Sequence, residues 1–354
     1  MIPLALALAA LVGTVQAGAT VSLPPKSAEE ILAMIARTEV RALSGTVQQT
    51  AELGLPEAPS PGPGITPGSG TALEFLTGSH TARVYVDAPS KARLQILDRM
   101  AERDFIINGS DAWFYNSADN SATHVTLPRP TMEDLEAAPS KPVRPGLPTP
   151  EAMAGRFLEA IDSSTEVTVG AASMVAGRTA YRLHLDPRST ETLVDSVSID
   201  VDSETGLPLG VEIRANGQAE PAYALAYTEL NLSAPNAELF EFTPPPGASV
   251  TEKTLPAKPL PPAMPMPEAD APAPPMFSHG PSFTGKAWDA IIALPAGSAP
   301  PELTSNPQLA QAFQPADGGR AMTTSLLSIL ILDDGRVYAG MVPLDRLESA
   351  AAAG

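Results

Sequence analysis

Between Thr81 and Leu127 the chain alternates apolar and polar residues in five short segments that only tight turns or a charged corner separate. In Thr81 to Asp87, Ala82, Val84 and Val86 share one side and Arg83, Tyr85 and Asp87 the other. Lys91 to Leu97 repeats this with Ala92, Leu94 and Ile96 opposite Lys91, Arg93 and Gln95. Arg103 to Asn108 and Asp111 to Ser117 flank Gly109-Ser110, a two-residue hairpin signal, and Ala122 to Leu127 follows Ala118-Asp119-Asn120. A period of two places successive side chains on opposite faces of a strand. Connections this short leave no room for the helical crossovers that parallel strands need, so the segments form an antiparallel meander.

A second series begins near Val167. Tyr181, Leu183 and Leu185 alternate, as do Val197, Ile199 and Val201, then Leu209, Val211 and Ile213, then Tyr223, Leu225 and Tyr227. Its turns are Asp202 to Gly206 and Asn216-Gly217, and a last strand is expected over Glu238 to Thr243 before Pro244-Pro245-Pro246-Gly247. A further strand fits Leu43 to Leu53. Helices are few. Ser27-Ala28-Glu29-Glu30 is a capping box ahead of Ile31, Met34 and Ile35, predicting a helix from Ser27 to Val40. Thr149 caps another, with Pro150 at its first position and Met153, Phe157 and Ile161 along one side. Two helices cannot cover a flat sheet of some ten strands, so the fold class is α+β, a curved antiparallel half-barrel with the helices on its concave face.

Proline divides the chain. Gly54 to Gly70 holds five Pro and five Gly, and Pro256 to Pro281 holds ten Pro, compositions of a loop and of an extended linker. Beyond the second lies a smaller α+β module. There Trp288, Ile291, Ile292 and Leu294 suggest a short helix, and Asn306 to Phe313 a second one. Leu326 to Leu332 and Val337 to Val342 form a hairpin about Asp333 to Arg336, and Leu344 to Ala352 is a terminal helix. The divisions are 1–19, 27–250, 251–284 and 285–354.

Met1 to Thr20 is uncharged, apolar from Ile2 to Val12, and closes on small residues, the pattern of a secretory signal cleaved after Ala17 or Ala19. A positive n-region is missing, so translation is expected to start upstream of Met1; an uncleaved anchor is the alternative. The protein is therefore expected outside the cytoplasm. With no cysteine, its stability must come from burial and sheet pairing rather than disulfides.

Charge and motifs exclude several functions. Lys and Arg number 22 against 40 Asp and Glu, a net charge of −18, which argues against nucleic acid because phosphate binding needs clustered cations. The four histidines, His80, His124, His184 and His279, are scattered, and thiolate metal sites are impossible, so no metal or other cofactor is expected. Asp200, Asp202 and Glu204 precede Gly206 in spacing unlike that of a calcium loop, and a hairpin turn is the simpler reading. Nucleophile elbows, phosphate loops and dinucleotide fingerprints are missing, so the chain reads as a binding protein and not an enzyme.

The capped helix followed by Val40-Arg41-Ala42-Leu43-Ser44-Gly45-Thr46-Val47 and the meander resembles the LolA-like lipoprotein-carrier superfamily. So do Asp202-Ser203-Glu204-Thr205-Gly206-Leu207-Pro208-Leu209 and the closing Phe240-Glu241-Phe242-Thr243-Pro244-Pro245-Pro246-Gly247-Ala248. The similarity covers about Ser27 to Val250 and is nearest to exported actinobacterial members. It implies an apolar half-barrel, lidded by helices, that receives acyl chains of lipids or lipoproteins. RseB-like regulators, similar in fold, carry a second domain and bind a membrane-bound anti-sigma factor, which is the alternative function. Strand parity nominates Val84, Val86, Leu94, Ile96, Val197, Ile199, Val211 and Leu225 as cavity residues. Ile31, Met34, Ile35, Met153, Phe157 and Ile161 are the helix-lid candidates.

Overall fold

The computed structural model describes residues 22–55, 77–97, 101–127, 149–254, 282–285, 287–297 and 307–353. The expected signal segment and most of both proline-rich stretches lie outside them. Helix α1 (Ala28–Ala36) starts where the capping box places it: Ser27 accepts from the Glu30 amide while Glu30 accepts from the Ser27 amide. It ends at Arg37, short of the expected Val40, and no cation in its last turn offsets the helix dipole. Helix α2 (Pro150–Glu159) is capped by Thr149 with Pro150 in its first turn.

The meander forms as read: β2 (Gly78–Asp87), β3 (Lys91–Leu97), β4 (Glu102–Asn108), β5 (Asp111–Asn116) and β6 (Ser121–Thr126) pair in succession, all antiparallel. The second series is β7 (Thr165–Val169), β8 (Ser173–Val175), β9 (Arg178–Pro187), β10 (Val194–Asp202), β11 (Pro208–Ala215) and β12 (Tyr223–Asn231). Strand β1 (Ala42–Ala51) joins the two series, pairing with β2 on one edge and β12 on the other. The register with β12 shifts between Thr46 and Val47, where Thr228 of β12 is the extra residue of a bulge. The product is one open, unclosed sheet of thirteen strands, with β7 and β8 both paired to β9 at one end. This is the expected curved half-barrel class.

Two expected elements differ. Glu238 to Thr243 is not a strand: Ala237–Phe240 is a 3-10 turn and the chain beyond it crosses the sheet without joining it. Leu239 accepts from Arg93, while Phe240 sits 1% exposed and Phe242 packs on the rings of Trp113 and Tyr115. These aromatics alternate because they pack onto a sheet face, which mimics the period of a strand. The chain then pairs in parallel with β6 as β13 (Ser249–Thr254), so the large sheet reaches past Val250.

The second correction is at Trp288. Its helical spacing with Ile291 and Leu294 is accidental: Ala287–Asp289 is a 3-10 turn and Ile291–Leu294 is strand β15. That strand belongs to a six-stranded sheet with β14 (Ser282–Thr284), β16 (Gln314–Ala316), β17 (Gly319–Thr323), β18 (Ser328–Leu332) and β19 (Val337–Gly340). Helices α3 (Pro307–Ala312) and α4 (Leu344–Ala353) complete the expected small module, and Leu347 of α4 is buried with Leu330 and Tyr338.

The two sheets are docked. Trp288 joins the core of the large sheet, donates to Thr165 Oγ1 at 2.9 Å and stacks on Phe157 of α2 at 6.2 Å. Met341 accepts from the Leu193 amide and the Thr192 hydroxyl, and Ser325 donates its amide to Leu53. A protease acting between Leu255 and Ser282 should therefore leave two pieces that elute together on size exclusion. Trp288→Ala, which opens a buried cavity and orphans Thr165, should cost about 3 kcal/mol in urea unfolding and let those pieces separate.

Candidate functional site

The two faces of the large sheet differ most clearly along β2, β3 and β9 to β12. On the face that meets α1 and α2, in-register rows carry apolar side chains across the strands: Val86 faces Leu43 and Ala92, and Val84 faces Leu94. In the other half Ile199 lies between Leu183 and Val211, and Val211 faces Leu225. All eight cavity candidates, Val84, Val86, Leu94, Ile96, Val197, Ile199, Val211 and Leu225, are at most 2% exposed and belong to one contiguous cluster. Ile31 is fully buried in the same cluster, and Met34, Ile35, Met153, Phe157 and Ile161 pack against it. Sequence parity thus brings both candidate sets together on one face.

Each helix is held by tyrosine. Tyr181 donates to the carbonyl of Pro24, just ahead of α1, and Tyr227 donates to Glu151 of α2 at 3.1 Å. A Cβ at Gly45 would stand 2.9 Å from the Tyr227 ring, so only glycine lets that ring lie over β1. Gly206 does the same for α1: its φ is +73° and a Cβ would run into the Met34 carbonyl.

Beyond the helices the same face is mixed, with Arg103, Asn116, Ser121 and Thr123 among its apolar side chains. Phe105, Ile107, Ala112, Phe114 and Val125 of β4, β5 and β6 point the same way as Leu94 and are only half-buried. Phe105 and Phe114 lie 4.8 Å apart, ring to ring, beside the buried core. Parity could have found this patch, because Phe105 stands directly opposite Leu94. The contribution of Trp288 had no such signal.

The outer face carries arginine–aspartate clamps beside an apolar row of Ile106, Trp113 and Tyr115. Arg93 holds Asp104 through two bonds of 2.9 Å, Arg182 holds Asp200 through two of 2.8 Å, and Arg178 holds Asp202 through two of 2.9 Å. The three aspartates are at most 3% exposed. Asp200 also accepts from Ser173, and Asp202 caps the turn to Thr205. The carboxylates of the Asp200 to Gly206 turn are therefore engaged by guanidinium groups, which makes the turn a structural hairpin. The Asp200 and Asp202 bonds hold both arginines further above their ordinary pKa than burial lowers it. For Arg93, burial pulls down most strongly, yet Asp104 and its neighbours together raise it.

A serine–histidine contact occurs on this face, His184 Nδ1 to Ser198 Oγ at 2.9 Å, with Asp186 two residues along β9. Ser198 is 4% exposed, and the other ring nitrogen, Nε2, abuts Gly170. A substrate carbonyl has no approach to that hydroxyl. Burial raises the Asp186 carboxyl above its ordinary value, the nearby imidazole of His184 opposing this and the Asp195 and Glu166 charges adding to it. Among the described residues no group of three or more His, Asp or Glu side chains is disposed to hold a metal ion. Among them, too, no helix is long and apolar enough to cross a membrane.

No family model and no curated protein matches the chain. Among solved structures it is similar to the MucA/MucB complex of Pseudomonas aeruginosa at 18% identity, over 92% of this chain and 96% of that one, with a TM-score of 0.42. It is similar to an uncharacterized conserved protein of Thermus thermophilus at 13% identity, over 64% and 99%, with a TM-score of 0.35. A LolA superfamily protein of Nitrosomonas europaea matches at 11% identity, over 62% and 99%, with a TM-score of 0.24. At these scores neither ligand nor partner follows for this chain.

The clamps give a direct test of which face is structural. Arg93→Ala leaves Asp104 buried without its guanidinium and should cost about 3 kcal/mol by denaturant titration, while hydrophobic ligands should bind the folded variant as before.

Proposed function

We propose that this is an exported protein that holds acyl chains of a lipid or lipoprotein against the inner face of its half-barrel. One observation carries the reading: on β4, β5 and β6 the same face presents Phe105, Ile107, Phe114 and Val125 half-buried beside the covered core. The helix-covered core and this patch lie on the same face of one sheet. A chain of 16 carbons passing from one to the other would contribute on the order of 12 kcal/mol at about 0.8 per methylene. The signal-like Met1 to Thr20 supports export.

The second reading is an envelope-stress regulator that binds an anti-sigma factor. It is favoured by the docking of the small module through Trp288, Ser325 and Met341, which presents both sheets as one composite surface. A pull-down from envelope extract separates the two: a membrane-bound anti-sigma factor supports regulation, and co-purified lipid alone supports carriage.

Charge placement along the inner face tests carriage itself. Phe114→Arg puts its guanidinium where water can reach it and should change stability by less than about 1 kcal/mol while abolishing the thermal shift on added diacyl lipid. Ile31→Arg, at a fully covered position, should unfold the large domain because an unpaired buried charge costs several kcal/mol. Native mass spectrometry of wild type from a lipid-containing host should show bound acyl mass. Ligand-free protein that diacyl lipid does not stabilise would end the carrier reading.

A further inference from the structure

The strand β13 lies in parallel on β6, and its six residues are all exposed. Apolar burial does not hold it there. Its backbone pairs with β6, and one side-chain cluster fastens it: His124 of β6 sits between two carboxylates from different strands. His124 Nδ1 lies 2.7 Å from Glu252 of β13, directly opposite in register, and Nε2 lies 3.0 Å from Asp111 of β5. The ring stacks on Trp113 at 4.3 Å, and Trp113 packs in turn on Phe242 of the strap that leads toward β13. A neutral imidazole has one N–H and can donate to one of these carboxylates. An imidazolium donates to both and is attracted by both.

We propose that His124 is a proton-operated latch that clamps β13 onto the sheet when protonated and loosens it when neutral. The groups facing it are Asp111 and Trp113 on β5 and Glu252 on β13, with Phe242 behind Trp113. Lys253 follows Glu252 and so points to the opposite side of β13. The facing charges are thus both negative. Partial burial draws the imidazole down, but the bonds and charges of Asp111 and Glu252 outweigh it and leave the ring above its ordinary value of 6.5. A raised histidine stabilises fully below its unfolded value, near 6.5, and that stabilisation is lost as pH climbs through the folded value. The latch therefore closes in mild acid and opens toward alkaline pH. Because the group is surface-accessible and salt screens it, the effect is local to β13 and β6 and does not extend to the fold.

The test uses the full chain. Hydrogen exchange read by mass spectrometry at pH 6 and pH 9, corrected for intrinsic rates, should show protection of residues 249–254 falling roughly fivefold at the higher pH. Peptides from β9 and β10 should keep theirs. Imidazole resonances should include one that titrates above 6.5 and vanishes in His124→Gln. That variant should lose the pH contrast, and Glu252→Gln should both lower the titration midpoint and shrink the contrast. Wild-type protection that does not change with pH would overturn the proposal. So would a contrast that survives either substitution, and the wild-type measurements stand even where a variant fails to fold.

Discussion

The large sheet depends on β1 having two partners. Without it there are two separate strand series, β2 to β6 and β7 to β12, each with an open edge and half an apolar face. Pairing Ala42–Ala51 to both Gly78–Asp87 and Tyr223–Asn231 makes them one surface and sets the register of every row across it. The close fit of Tyr227 over Gly45 then fixes where α2 can sit, since that same tyrosine binds Glu151. The partner of β1 lies far along the chain, so this closure pays a large loop-closure entropy before its contacts form.

The two faces solve different problems. The inner one gathers apolar side chains under two short amphipathic helices, and the outer one must accommodate aspartates that the strand alternation brings into cover. Bidentate arginine meets that demand, since an isolated buried carboxylate is far costlier than a paired one. Such clamps contribute little net stability compared with apolar packing. They fix which strand residues oppose one another: Arg182 faces Asp200 across β9 and β10, and a slip of one residue in either strand would turn its member of the pair into the apolar core and leave the other unpaired.

Strands with one covered face were legible because their period is imposed by burial itself. The ends of Lys91–Leu97 are those read from the residues, and the buried and half-buried positions alternate without error. Reading failed where alternation arose otherwise. Phe240 and Phe242 alternate because both pack on the outside of the sheet, and no backbone partner was needed. At Trp288 and Ile291 a spacing of three reflected two unrelated contacts, one to Thr165 and one within the small sheet. The eight inner residues were found by parity alone, yet parity does not distinguish a residue under a helix from one at an open end. That difference separates Leu94, 2% exposed, from the half-buried Phe105 beside it.

An unclosed sheet also has two margins, and each offers unpaired backbone to any passing strand. At one margin the carboxylate and ammonium of Glu252 and Lys253 stand on the short β13; at the other, the run from Thr165 to Val175 is broken at Gly170–Ala172 between its two pairings with β9. Charge and interruption are ways in which β-rich proteins keep from polymerising edge to edge. Where two open margins flank so long a sheet, the least conspicuous strands set how readily one copy can add to another.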